Sequence, residues 1–431
     1  MRTGRLARGG SILFLLLAVV ACSSTTTASP SASRRPTASP KPSPTTSPTP
    51  TPRPSPRPMV PATLTPGPAM TLAREGQAAV RLADGRVLIM GGGVPITPQQ
   101  CGMACVEPAT ASVEIYDPST GKFSRNGSLA EPLMPEQALL LNDGRVLVYG
   151  DNFSTDDPNT IEIYDPGQGA SVVVKPPSGL VFGFGSTVMK LADGRVLIAG
   201  GSVPVGLYGS GGYATSKLTL IFDPKSGGFS PGPTMTEARS GALGTLLDDG
   251  RVLMVGGWYW DGNNSYGNQD AELIDPPHYL SRSTLLKTSQ YPVTSTVLSD
   301  GRVLVAEYEN VAGCVNIPVC LGPEVSEVFD PRTEKFTQVG PLSTPRAGSQ
   351  AAIRIPDGRV LVFGGVDAQN KAVTTVEAFD PDSETFQVVA TGLPDIQDFS
   401  ATLLDDGEIL IAGGSNGEWN GMTAATWLLK P

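Results

Sequence analysis

The stretch Trp258-Tyr259-Trp260-Asp261-Gly262-Asn263-Asn264-Ser265-Tyr266 gathers residue types that grip a polar ring: flat aromatic faces for stacking, beside amides and a carboxylate for directed hydrogen bonds. Tyr208, Tyr213 and Trp419 lie in other stretches of similar character. Rings of this kind also pack loops onto a scaffold, and both roles stay open at this point. Asp261 and Asn263 suggest a calcium loop, but the full pattern of such loops is absent. A second set is charged. Arg74, Arg239 and Arg346 recur at matching places, and Asp151 and Glu307 stand where related stretches have Gly. Guanidinium groups converging with these acids would hold an anionic substrate; the competing role is bonding to carbonyls and carboxylates of adjacent strands. A Ser/His/Asp triad is disfavoured, because His278 is the only His in the chain.

Four of the five cysteines form two close pairs, Cys101 with Cys105 and Cys314 with Cys320. Local disulfides are the natural reading in an exported chain, although four cysteines permit three connectivities. A zinc site would have only two thiolates in each stretch and no His nearby, so no metal is assigned. The fifth, Cys22, follows Arg2, Arg5, Arg8 and an apolar run from Ile12 to Val20. Basic residues before a short apolar core are the secretory pattern, and small residues before Cys22 resemble the bacterial lipobox. The expectation is a signal peptide over residues 1–21 and a diacylglycerol on Cys22, leaving the mature protein on the outer side of a bacterial cell membrane. Residues 22–61 are rich in Pro, Ser and Thr, with Arg34, Arg35, Lys41, Arg53 and Arg57 interspersed. Such chain builds no core and extends at roughly 3.1 Å per residue, a disordered basic tether.

Everything after it is organised by one phrase. Leu82-Ala83-Asp84-Gly85-Arg86-Val87-Leu88-Ile89-Met90-Gly91-Gly92 has relatives centred on Asp143, Asp193, Asp249, Asp300, Asp357 and Asp406, at spacings of 49 to 59 residues. A period near fifty with strand-like content predicts repeated β-units, a propeller or a solenoid. Asp-Gly marks a tight hairpin, and the aliphatic run after it marks a strand buried on both faces. A third strand, as in Glu114-Ile115-Tyr116-Asp117-Pro118, ends in a second turn and leads to a fourth. The seventh unit stops at Pro431 without a fourth strand, whereas Ala62 to Pro66 parallels Gly227 to Pro231 and precedes the first unit. Pairing of residues 62–66 with Ala424 to Leu429 would close a ring and leave no open edge.

Gly-Gly ending the second strand and an aromatic before Asp-Pro ending the third resemble the Kelch repeat, especially its bacterial form in galactose-oxidase-like propellers. The resemblance covers residues 62–431. It implies an all-β, seven-bladed β-propeller of four-stranded antiparallel blades whose first strands line a channel. The small residues of those strands, among them Ala78, Ala79, Thr187 and Gly244, suit a crowded axis. Galactose oxidase holds copper through two His and two Tyr, so a chain with one His is not expected to share its copper-radical chemistry, and no cofactor is assigned.

Within each unit the tight turns share one face, and the long, dissimilar second-to-third connections share the other, where binding belongs. Nine of the 31 basic residues and none of the 41 acidic ones fall in residues 1–74, so the repeat region balances 22 basic against 41 acidic groups. That surface repels phosphate, and nucleic acid is discarded as a partner. The reading is a tethered binding or scaffold propeller engaging a glycan or another exported protein through its long-loop face. The alternative is a carbohydrate-active enzyme, epimerase-like, using Arg and carboxylates at the channel mouth.

Overall fold

Each Asp-Gly phrase closes a hairpin, and the turn is built the same way each time. At the first, the Leu82 N–H donates to the Arg86 carbonyl at 2.8 Å and the Gly85 N–H to the Leu82 carbonyl at 3.1 Å. Gly85 has a φ of 86°, a left-handed conformation that resists a side chain. Asp84 clamps the turn from outside, accepting the Arg86 N–H through Oδ1 at 3.1 Å and the Arg86 Nε–H through Oδ2 at 2.8 Å. The arginine then reaches onward. Arg145 donates to the Pro224 carbonyl at 2.9 Å, Arg251 to that of Pro331 at 2.8 Å and Arg302 to that of Pro381 at 3.1 Å, each the Asp-Pro turn of the following unit. The phrase is therefore a turn and a staple between neighbours.

A computed structural model describes residues 60–96, 108–151, 159–177, 183–204, 213–260, 265–268, 270–278, 280–285, 291–308, 325–418 and 420–431. Among the described residues the helices and strands are all strands: five four-stranded sheets, one of seven strands and two small hairpin sheets. A typical sheet orders Thr187–Lys190, Val196–Ala199, Thr219–Asp223 and Gly228–Pro231, every pairing antiparallel. The second strands are buried along their whole length, as in Val87–Met90, Val252–Val255 and Ile409–Ala412, because both faces meet neighbouring sheets. Third and fourth strands are locked by a cross-strand aromatic pair. Tyr116 with Phe123, Phe222 with Phe229, Phe329 with Phe336 and Phe379 with Phe386 all stand 4.9 to 5.0 Å apart between ring centroids.

The innermost strands contact one another in a cycle. Ala78–Arg81 touches Lys122–Leu140, followed by Thr187–Lys190, Leu243–Leu246, Tyr291–Val297, Ala347–Arg354 and Ser400–Leu403, and the last touches Ala78–Arg81 again. Closure comes from both ends of the repeat region. Thr63–Pro66 pairs antiparallel with Thr426–Lys430, Thr63 opposite Lys430 and Pro66 opposite Trp427, completing the sheet begun by Ser400–Leu403 and Ile409–Ala412. Met70 then packs with Val87, Ile89, Leu404 and Leu410, joining the first unit to the last.

One departure from separate four-stranded sheets concerns the first two units. Lys122–Leu140 runs through as one long bulged strand, serving the first unit with its start and the second with its end, so that the two form a single seven-stranded sheet. In this unit Gly150-Asp151 takes the place of the paired glycines. Elsewhere the paired glycines adopt positive φ, as Gly91 (63°) and Gly92 (93°) do, and turn the chain. The strand Val146–Asp151 stays extended to its end and keeps Asp151 paired with Met134.

Candidate functional site

The aromatic stretch folds as a small hairpin on the long-loop side of the fourth unit. Trp258–Trp260 pairs with Ser265–Gly267, Tyr259 opposite Tyr266, and those two rings stack 5.3 Å apart at 24°. Trp258, Tyr259 and Trp260 are half-buried, and Tyr266 is 42% exposed, an uncommon exposure for a large apolar ring. The hairpin is anchored by backbone: Trp258 and Ser240 exchange N–H to carbonyl bonds at 2.8 and 2.9 Å. It also leans on its neighbour. The Trp260 N–H donates to Thr215 Oγ1 at 2.9 Å, and Thr215 belongs to Tyr213–Thr215, which pairs with Ser202–Pro204 as a second hairpin from the third unit. The structure thus brings the backbone of Tyr213 beside the Trp258 hairpin. Tyr208, Asp261 and Trp419 lie outside the described residues, as do Cys22, Cys101, Cys105, Cys314 and Cys320.

The arginines do not converge, which corrects the expectation of an anion site. Arg74, Arg239 and Arg346 are 0%, 1% and 0% exposed, each sealed in the link entering its own unit. Arg74 donates to the Gly91 carbonyl at 2.9 Å, the Ser112 carbonyl at 3.1 Å and Glu114 Oε1 at 2.8 Å. Arg239 does the same with the carbonyls of Gly256 and Asp270, with Asp270 Oδ1 and with Glu272; Arg346 with those of Gly364 and Thr375 and with Glu377. The glutamates are bound from the other side by the link itself, as when Glu114 Oε2 accepts the Thr71 N–H at 2.6 Å. A guanidinium whose donors are directed at carbonyls and a buried carboxylate has no access to a ligand. Glu162 occupies the same place without an arginine. It accepts the N–H groups of Ala130 and Glu131 at 2.8 and 3.0 Å and the Ser171 hydroxyl, and burial pushes its carboxyl up.

Asp151 has a partner that the sequence reading passes over. Glu136 sits in the bulge between Pro135 and Gln137, the residue just before the inner strand's regular pairing, one strand away from Asp151. Its Oε2 accepts the Gly185 N–H of the next unit at 3.1 Å. Burial, together with the Asp151 charge, pushes the Glu136 carboxyl up to about 8, and burial pushes Asp151 up to about 6. Tyr149, two residues before Asp151 on its strand, donates its hydroxyl to the Gly183 carbonyl at 2.5 Å, and burial and Glu136 drive its ionisation well above the usual phenol range. A signal was present: Gln77 and Ser186 occupy the corresponding places in adjacent units, so a carboxylate there departs from the repeat beside a second departure, Asp151. Glu307 lies on Tyr291–Val297's partner strand Val303–Tyr308, in another unit, and its backbone pairs with Pro292 and Val325.

Comparison with known proteins agrees with this geometry. The Kelch motif model matches residues 347–392. A solved fungal alcohol oxidase of the AA5 family, described as catalytically diverse and in complex with copper, aligns with a TM-score of 0.61 at 16% identity, over 86% of this chain and 76% of that one. The fold is a Kelch-type β-propeller. The spermatocyte protein spe-26 of Caenorhabditis elegans is 23% identical to the propeller chain over 233 residues, 49% of this chain and 36% of that protein, so the match spans about a third of the relative's length. The one His of the chain, His278, is on the exposed turn after Asp275, its Nδ1 2.9 Å from the Asp275 carboxylate. Among the described residues, no helix is long and apolar enough to cross a membrane.

Proposed function

We propose that this propeller is a binding or scaffold module that engages an exported protein or a glycan through its long-loop face, at the paired hairpins of the third and fourth units. We read its ring as seven-bladed, and its leader as a lipid anchor on Cys22 followed by a tether over residues 22–61 that holds the ring away from the bacterial membrane. The observation that carries the binding reading is the Trp258–Trp260 hairpin: a stacked Tyr259–Tyr266 pair raised on backbone bonds, with Tyr266 open to solvent. Rigid aromatic faces supply contact area at small entropic cost, and they are common anchors of protein and sugar recognition. The enzyme alternative is weakened, since the arginines it needs are enclosed.

The reading is tested by capture of exported proteins and by a glycan array with the wild type and with Trp258→Ala, Trp260→Ala and Tyr266→Ala. A ligand whose capture falls at least about tenfold in these variants supports it, the size of effect that anchor residues have. Ligands bound equally by all four proteins would remove the hairpin from the binding surface. Membrane attachment is a separate question, answered by fractionation of Cys22→Ala: release from the membrane fraction is expected.

A further inference from the structure

Three buried glutamates of the repeat are matched by guanidinium groups. Glu114, Glu272 and Glu377 each face an arginine as enclosed as themselves. Asp151 is buried and Glu136 half-buried without that match. Glu136 Oε1 and Asp151 Oδ1 are each shut off from solvent with no hydrogen-bond partner, and Asp151 as a whole is 6% exposed. The groups that face the pair are the Tyr149 hydroxyl on Asp151's own strand and the Gly185 N–H from the next unit; among the described residues no Lys or Arg bonds to either carboxyl. Two desolvated negative charges on paired strands repel each other and lack solvation, and one retained proton removes the repulsion and the desolvation cost of one of the two charges.

We propose that the Glu136–Asp151 pair retains one proton at neutral pH and that its loss to solvent loosens the Gly183–Ser186 turn and, through it, the aromatic hairpin. The connection is short. Glu136 holds the Gly185 N–H; the Gly185 carbonyl accepts the Gly241 N–H at 2.7 Å; the Ser240 hydroxyl donates to the Phe184 carbonyl at 3.0 Å; and Ser240 carries both backbone bonds to Trp258. Tyr149 and Ser186 both donate to the Gly183 carbonyl, so the turn is held from two sides next to the pair. When the second carboxyl ionises, repulsion separates the side chains and the Gly185 bond is the one tied to their position. The pair titrates as a unit, in two coupled steps rather than as two independent acids. The proton site stands whether or not the hairpin binds anything.

The decisive measurements are carboxyl-carbon NMR titration and hydrogen exchange of the Gly185 and Gly241 amides, with rates corrected for the intrinsic effect of pH. Wild type is expected to show two coupled carboxyl titrations, one of them above about pH 7, and a rise of about tenfold or more in corrected exchange between about pH 6 and pH 9. Glu136→Gln and Asp151→Asn each remove the coupling, and either should flatten the exchange profile while the rest of the spectrum is unchanged. Both carboxyls titrating in the ordinary range, or a wild-type profile identical to the variants', would overturn the proposal. So would stoichiometric calcium binding at neutral pH that is lost in Glu136→Gln, because the pair would then hold a cation instead of a proton.

Discussion

The link before Ala347–Arg354 and the bulge beside Asp151 solve the same problem in opposite ways. In the first, Glu377 is fully enclosed and is met by Arg346 at 2.8 Å, by the N–H groups of Ser343 and Thr344, and by the Ser343 hydroxyl. Every charge has a partner, the arrangement recurs at Arg74 and Arg239, and it serves to fix the chain's entry into an inner strand. In the second, a buried Asp151 and a half-buried Glu136 each have one shielded oxygen without a partner, and the Gly185 N–H reaches Glu136 alone. The first kind of site sets each acid against a cation, since the guanidinium stays charged. The second must exchange protons as its surroundings change. Enclosed acid groups are thus architectural at Glu114, Glu272 and Glu377, where an arginine answers them, and Glu136 and Asp151 lack that answer.

The contrast can be broken most directly at the arginine. Arg346→Ala leaves Glu377 buried and unpaired, and a loss of about 3–5 kcal/mol is expected in denaturant unfolding, whereas the double change Arg346→Met with Glu377→Leu should recover most of it. A double variant as unstable as the single one would show that the ion pair does more than neutralise charge. At the carboxyl pair the expected effect is smaller and has the opposite sign. Glu136 and Asp151 hold protons in the folded state that the unfolded chain releases at lower pH, so stability drains away as pH rises from the ordinary carboxylate range to about 8. Glu136→Gln should therefore be nearly neutral at about pH 5 and stabilising by about 2 kcal/mol at about pH 9, read from thermal melts at each pH. A stabilisation independent of pH would point to packing instead. The smallest effect belongs to the exposed staples. Arg302→Ala removes contacts to Asp300, Glu384 and the Pro381 carbonyl near the surface, and a loss of no more than about 1 kcal/mol is expected, shrinking in high salt.

Much of the architecture was legible because it rests on local rules repeated along the chain. Asp84-Gly85 announces a turn whose φ only Gly accepts easily, the run from Val87 to Met90 announces a strand with no exposed face, and Ala62 to Pro66 announces a strand in search of a partner. The candidate site was legible only in part. Trp258 to Trp260 stood out by composition, but their pairing with Ser265–Gly267 and their contact with Thr215 depend on which loops the ring sets side by side. Arg74, Arg239 and Arg346 looked available because charge is visible in a sequence and enclosure is not. Glu136 escaped notice for the converse reason: its neighbour Asp151 is fifteen residues away along the chain, and a bulge brings the two together.

The four-residue pairing of Thr63–Pro66 with Thr426–Lys430 has a mechanical consequence. This edge strand is the point at which the chain before residue 62 joins the ring, and the Ala62 N–H adds a bond to the Val389 carbonyl of the preceding sheet. Tension applied to the chain at residue 62 would be borne first by the clasp that keeps the ring shut, not by a peripheral appendage. The first strand and ring closure therefore share one short set of backbone bonds, so that a pull strong enough to strip Thr63–Pro66 from its partner would open the circle itself.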